Sequence, residues 1–219
     1  MNRPGMKRVP IYTAFERVWH WLQALTILML LGTGLEIHAP SSVHLLGFAR
    51  ATWLHEALAL FTIANAFLSL FYHLATGAIR QFFPPPRDFF SLAIAQIAYY
   101  TRGIFAGAPH PFEHGPESKL NVLQQVTYLG VLNLVLPLQV ATGILMWKAE
   151  EWGGLVGSLG GLHAVASVHV LCAWLFAAFV VMHVYLTTTG RTPLAHIRAM
   201  VLGWEERPES KPEVSHEAQ

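Results

Sequence analysis

Apolar residues along this chain gather into four long blocks, at about residues 18–37, 52–76, 120–147 and 162–188. Each is about the length a helix needs to cross the ~30 Å hydrocarbon core of a bilayer. The pattern predicts an all-α fold, an integral membrane four-helix bundle, as one domain over residues 1–205. The connection from Gly77 to Lys119 is long and opens with Phe82-Phe83-Pro84-Pro85-Pro86, where proline stops a helix. Within it, Asp88 to Thr101 reads as a short helix lying on the membrane surface, and Thr192 to Trp204 as another. Residues 206–219 are polar and contain proline, and they are expected to form a disordered cytoplasmic tail.

Composition supports this reading, since 53% hydrophobic and 12% charged residues are too apolar a mixture for an ordinary soluble domain. A net charge of +1 says little about nucleic acid, which is not among the expected partners; the distribution of charge says more. Twelve of the lysines and arginines fall at the termini and in the connection between the second and third blocks. Only Arg50 and Lys148 fall in the other two connections. The positive-inside rule then puts both termini in the cytoplasm of a multi-pass protein of the bacterial inner membrane, with membrane lipid around it. Trp19, Trp21, Trp53, Trp147 and Trp152 lie near block ends, where an interfacial aromatic belt belongs. The first block is long for a signal peptide and lacks a small-x-small cleavage site, so it reads as an uncleaved anchor.

One cysteine, Cys172, rules out a disulfide within the chain, an iron–sulfur cluster, and covalent haem attachment through Cys-x-x-Cys-His. Histidine is the unusual residue, with twelve in so apolar a chain. His169 and His183 are fourteen residues apart in the fourth block, nearly four helical turns. They share a face and lie about 21 Å apart along the axis. The blocks alternate in direction, so His55 falls at the outer depth with His169, and His20 at the inner depth with His183. An imidazole inside a bilayer is costly without a partner. Two pairs at two depths suit two haems b, each clamped by two histidines with no open position for a substrate. His73, eighteen residues after His55, is an alternative inner ligand. His163 is rotated off the ligand face. His38, His44, His110, His114 and His216 fall in connections or tail and read as solvated groups. Thr33-Gly34-Leu35 and Thr142-Gly143-Ile144 echo each other at similar depth. Helix packing explains each glycine alone, while their common depth favours contact of Gly34 and Gly143 with haem. Arg17 inside and Arg50 outside are candidates for the haem propionates.

The chain resembles the dihaem cytochrome b subunits of respiratory formate dehydrogenases, nickel–iron hydrogenases and thiosulfate reductases. The resemblance is carried by Arg17-Val18-Trp19-His20-Trp21, Thr33-Gly34-Leu35, Trp53-Leu54-His55, Thr142 to Trp147, His169 through His183-Val184-Tyr185, and Ile197 to Trp204, over about residues 10–205. It implies one ligand each from the first and second helices and two from the fourth, ranking His20 above His73. It also implies a quinone site (menaquinone or ubiquinone) near the inner haem, at the cytoplasmic start of the third helix. Lys119-Leu120-Asn121-Val122-Leu123-Gln124 is similar to the formate dehydrogenase segment there, with Asn121 at a quinone-contacting position, Lys119 and Gln124 flanking it, and Leu123 in place of a glycine. From the residues alone, Asn121 reads as a helix cap.

The expected function is electron transfer across the membrane between a periplasmic redox partner, an enzyme or a cytochrome or iron–sulfur subunit, and the quinone pool. Hydrogenase or formate dehydrogenase partners would reduce quinone, whereas a thiosulfate reductase would oxidise quinol. Lys119, Glu117 or His114 could relay protons, although a solvated charged loop explains that cluster better. The main rival is a transporter or channel whose histidines bind a non-haem metal or relay protons. It predicts more intramembrane carboxylates or thiolates than Glu56 and Cys172 suggest. An inert anchor gives no reason for paired histidines.

Overall fold

The computed structural model describes residues 6–108, 111–112, 119–190 and 192–208. In chain order the elements are β1 (Met6–Pro10), α1 (Ala14–His38), α2 (Phe48–Thr76), α3 (Phe89–Ala98), α4 (Val122–Trp147), α5 (Gly153–Ser158), α6 (Gly161–Thr187), α7 (Ala195–Leu202) and β2 (Trp204–Pro208). Four of them, α1, α2, α4 and α6, are long and apolar enough to cross a membrane.

Local chemistry sets the helix starts. Thr13 caps α1: its hydroxyl accepts the Glu16 N–H at 3.2 Å while the Glu16 carboxylate accepts the Thr13 N–H at 2.8 Å. The two side chains satisfy orphan donors reciprocally. Asn121 and Gln124 build the same box at the start of α4. Helix α4 widens into a π-type stretch at Val131–Val135, just before Pro137. Proline lacks an N–H and its ring crowds the carbonyl one turn earlier, and the widened turn absorbs that mismatch.

Helix α1 packs on α2, and α4 on α6. Small and polar side chains are buried, among them Thr26, Thr33, Thr62, Asn65, Ser69 and Thr142, while Val18, Phe67, Phe71, Leu134, Leu171 and Trp174 are exposed. This inverts the soluble pattern. Lipid is as apolar as leucine, so membrane helices associate through close packing and hydrogen bonds. Trp19 Nε1 donates to the Asn65 carbonyl at 3.0 Å, and Asn65 Nδ2 donates to Gln23 Oε1 at 2.7 Å, fastening α1 to α2.

The chain's two ends meet. Strands β1 and β2 pair antiparallel from Met6↔Pro208 to Pro10↔Trp204. This corrects the expectation of a disordered tail beginning at residue 206: Glu206 to Pro208 form ladder pairs, and residues 209–219 lie outside the described set. The surface helix expected over 192–204 is shorter, ending at Leu202 with Gly203 as its cap. The other expected surface helix is α3, with Phe90, Ile94 and Ile97 exposed along it. At the opposite end of the bundle the Glu36 side chain, 2% exposed, accepts N–H bonds from Leu45, Leu46 and Gly47 at 3.0, 2.9 and 2.7 Å. The carboxylate ties the end of α1 to the start of α2, where a helix dipole favours negative charge.

Candidate functional site

Two histidine pairs span the space between the helical hairpins. The rings of His20 on α1 and His183 on α6 have centroids 6.0 Å apart; those of His55 on α2 and His169 on α6 are 6.3 Å apart. A metal–imidazole bond of about 2 Å on each side, plus roughly 1 Å from each nitrogen to its ring centre, requires centroids about 6 Å apart. Both pairs therefore fit an iron held between two imidazoles. Among the described residues, no three histidine, cysteine, aspartate or glutamate side chains gather as a metal cluster. The histidines meet in twos, which suits an axial pair.

The hydrogen bonds around the outer pair identify the ligating nitrogens. Thr33 Oγ1 donates to the Met29 carbonyl at 2.8 Å and lies 2.9 Å from His55 Nδ1. A hydroxyl has one hydrogen, so Thr33 must accept from a protonated Nδ1. The lone pair of His55 then sits on Nε2. Thr142 repeats the arrangement, donating to the Leu138 carbonyl at 2.6 Å and lying 3.0 Å from His169 Nδ1. Gln139 Nε2 is 2.9 Å from His169 Nε2 and donates to the nitrogen that an iron would take. The glycines beside these threonines make room. A Cβ on Gly34 would lie 3.3 Å from His55 Cε1, and one on Gly143 would lie 3.3 Å from His169 Cε1. The sequence echo thus places each Thr-Gly step against an outer histidine, and what comes within reach of each glycine is an imidazole edge.

The inner pair is built differently. Among the described residues His20 Nδ1 is buried without a hydrogen-bond partner, and its ring meets Trp21 and His183. The His183 ring stacks on Phe179 at 5.8 Å. His73, the alternative, turns elsewhere: Nδ1 donates to the Ser69 carbonyl at 2.8 Å, and the ring packs among Trp19, Tyr72 and Phe82. His38, His44 and His163 are exposed, whereas His110, His114 and His216 lie outside the described residues.

The expected quinone residues are brought together at the start of α4, with partners the sequence did not announce. Asn121, 2% exposed, caps α4 with Gln124 and donates from Nδ2 to the Tyr100 hydroxyl at 3.0 Å. Lys119 is ion-paired with Glu16 and lies 5.6 Å from the centre of the Tyr12 ring. This corrects the reading of Lys119 as part of a solvated loop; Glu117 and His114 are outside the described residues. Burial, and then the Glu16 and Glu205 carboxylates, push the Tyr12 hydroxyl up to about 12, and burial also raises that of Tyr100. Both phenols stay neutral near pH 7. A cavity of about 180 Å³ adjoins Asn121, lined also by Gln96, Phe112, Leu120 and Gln125. Gln125 Nε2 donates to the Gln81 carbonyl at 2.8 Å, and among the described residues its Oε1 is buried without a partner. Neither Gln96 nor Gln125 stood out in the sequence, where an isolated amide on an apolar helix carries no distinct signal. Arg17 Nη1 donates to the Val201 carbonyl at 2.7 Å and so anchors α7, whereas Arg50 is exposed in the first turn of α2.

The model of the family described as prokaryotic cytochrome b561 matches residues 11–203. "Putative cytochrome YdhU" of Escherichia coli (strain K12) is 31% identical over 199 residues, covering 90% of this chain and 75% of its own length. "Probable Ni/Fe-hydrogenase B-type cytochrome subunit" of Cupriavidus necator is 26% identical, covering 83% of this chain and 79% of its own. "Putative protein-methionine-sulfoxide reductase subunit YedZ1" of Azospira oryzae is 26% identical, covering 86% and 96%.

Proposed function

The chain belongs to the prokaryotic cytochrome b561 family, and we propose that it is the electron-carrying membrane subunit of a respiratory oxidoreductase, holding one haem b between His55 and His169 and a second between His20 and His183. The observation that carries this reading is the pair of ring separations, 6.3 and 6.0 Å, at two depths of one bundle. Haem iron with two imidazole ligands supplies reversible one-electron transfer and offers no free position for a substrate. The protein's own part is to hold the four imidazoles opposed within an apolar, water-excluding bundle. Thr33 and Thr142 favour the tautomer of the outer rings that puts the lone pair on Nε2.

The charge asymmetry supports an inner-membrane orientation with both termini cytoplasmic. On that orientation, a redox enzyme docks at the periplasmic end, near the α1–α2 connection and α5. Two relatives carry names of hydrogenase and methionine-sulfoxide-reductase subunits, which support a redox enzyme as partner. At the cytoplasmic end, the cavity beside Asn121 and Gln125 is the site for a quinone headgroup. With the Asn121 and Gln125 amide donors already engaged, the site offers Gln125 Oε1 as an acceptor for a quinol hydroxyl.

Reduced-minus-oxidised spectra and a pyridine haemochrome count on the purified protein test this reading. About two haems b per chain are expected. His169→Ala should lose the outer haem and keep the inner one, His20→Ala the reverse, and His73→Ala should keep both. A protein without a Soret band would sink the proposal in favour of a transporter or anchor.

A further inference from the structure

The two histidine pairs differ in what stands behind them. Both outer imidazoles hold Nδ1 against a threonine hydroxyl, Thr33 at 2.9 Å and Thr142 at 3.0 Å, and the rings of His55 and His169 also bond the backbone at Leu30 and Gln139. Each hydroxyl spends its own hydrogen on the carbonyl four residues earlier, so it can serve the imidazole only as an acceptor. At the inner pair, His20 Nδ1 is buried with no partner among the described residues, and the rings of His20 and His183 meet other rings. An acceptor on the distal N–H makes an imidazole a stronger donor to its metal. A stronger donor set stabilises the oxidised, more positive iron, and a weaker set leaves the reduced iron relatively favoured.

We propose that Thr33 and Thr142 are positioning residues that hold the outer site at a lower reduction potential than the inner site. The proposal rests on the two-haem reading above and adds a direction to it. Potentials that rise from outside to inside favour electron flow inward, toward reduction of quinone rather than oxidation of quinol. Gly34 and Gly143 belong to the same device, since each lets the imidazole lie close enough to the helix to reach the preceding threonine. The device is doubled, with one Thr-Gly step on each hairpin acting on opposite ligands of one site.

Redox titration of the purified holoprotein tests this, with the two haems assigned in His169→Ala and His20→Ala single-haem proteins. In the wild type, the haem retained by His169→Ala should be the one of higher potential. Thr33→Val and Thr142→Val should each raise the outer potential and leave the inner one in place. A net hydrogen bond of ordinary size corresponds to about a tenfold change in the reduction equilibrium, or about 59 mV for a one-electron couple. Thr142→Ser keeps the acceptor and should titrate near the wild type, separating hydrogen bonding from packing. Should a valine variant lose its outer haem, the wild-type order of potentials still decides the matter. An outer haem at or above the inner potential, or valine variants that titrate unchanged, would overturn the proposal. Two haems would then remain in the spectra, whereas failure of the underlying reading would leave none.

Discussion

Gly34 and Gly143 show how little space separates the outer imidazoles from the helix backbones. A methyl group at either position would stand 3.3 Å from a ring carbon, closer than ordinary contact, so the ring must move by a few tenths of an ångström. That movement stretches the contact with the neighbouring threonine and tilts the imidazole. On the two-haem proposal, Gly143→Ala is therefore expected to reduce occupancy of the outer haem or shift its spectrum, with Gly34→Ala doing the same from the opposite histidine. Gly32 is the control, because no described residue lies within 4 Å of a Cβ there. Gly32→Ala should keep both haems and gain roughly 0.5–1 kcal/mol of helix stability, read from absorbance spectra and thermal melts of one preparation. The Thr-Gly echo is legible in the sequence as two steps at one depth. Which side chain each step faces is a tertiary fact, and residues around Thr33 do not reveal that His55 lies opposite.

At the scale of one element, Asn121 serves two roles that substitution can separate. Its Oδ1 accepts the Gln124 N–H at 3.0 Å as the cap of α4, and its Nδ2 donates to Tyr100 at 3.0 Å. Asn121→Ala removes both and should cost about 1 kcal/mol through the lost cap. Asn121→Asp keeps the cap acceptor and removes the amide donor, so its melting temperature should stay nearer the wild type. A fall in quinone-linked electron transfer in both variants, beside a stability loss only in alanine, would show that the amide serves the site. The four spanning helices could be read in advance because a bilayer demands long apolar runs, and such runs are local in sequence. The β1–β2 ribbon could not. It joins Met6–Pro10 to Trp204–Pro208 across the whole chain, in segments rich in charge and proline that resemble ordinary tails. Glu36 was hidden for a related reason: it looks like the polar end of an apolar block, and the three N–H groups it accepts lie beyond a turn. Its engagement with them also weakens the transporter reading, which needs a carboxylate available to a moving ion or proton.

Across the whole molecule, the two hairpins α1–α2 and α4–α6 face each other through opposed histidines, with few direct ties between them among the described residues. One tie is the ion pair of Lys119, just before α4, with Glu16 in the first turn of α1. Both side chains are largely buried, at 12% and 10% exposure, so solvent screens the pair little. Removing one partner strands the other charge in a poor solvent, which for a fully buried pair costs about 3–5 kcal/mol. Here the Thr13 N–H still supports Glu16 after Lys119 is lost, and that reduces the penalty. Lys119→Met should therefore destabilise by about 1–3 kcal/mol, and Glu16→Gln, which also weakens the α1 cap, by a similar amount. The double variant should be less harmful than the sum, because neither charge is left alone. Thermal melts of the four proteins in one detergent, followed through the Soret band and tryptophan fluorescence together, measure that coupling. Additive losses would mean that the hairpins are joined elsewhere and that Lys119 is free to serve the neighbouring cavity. A clear coupling with intact haem spectra would make the pair a latch that keeps the cytoplasmic ends of α1 and α4 in register, and with them His20 opposite His183.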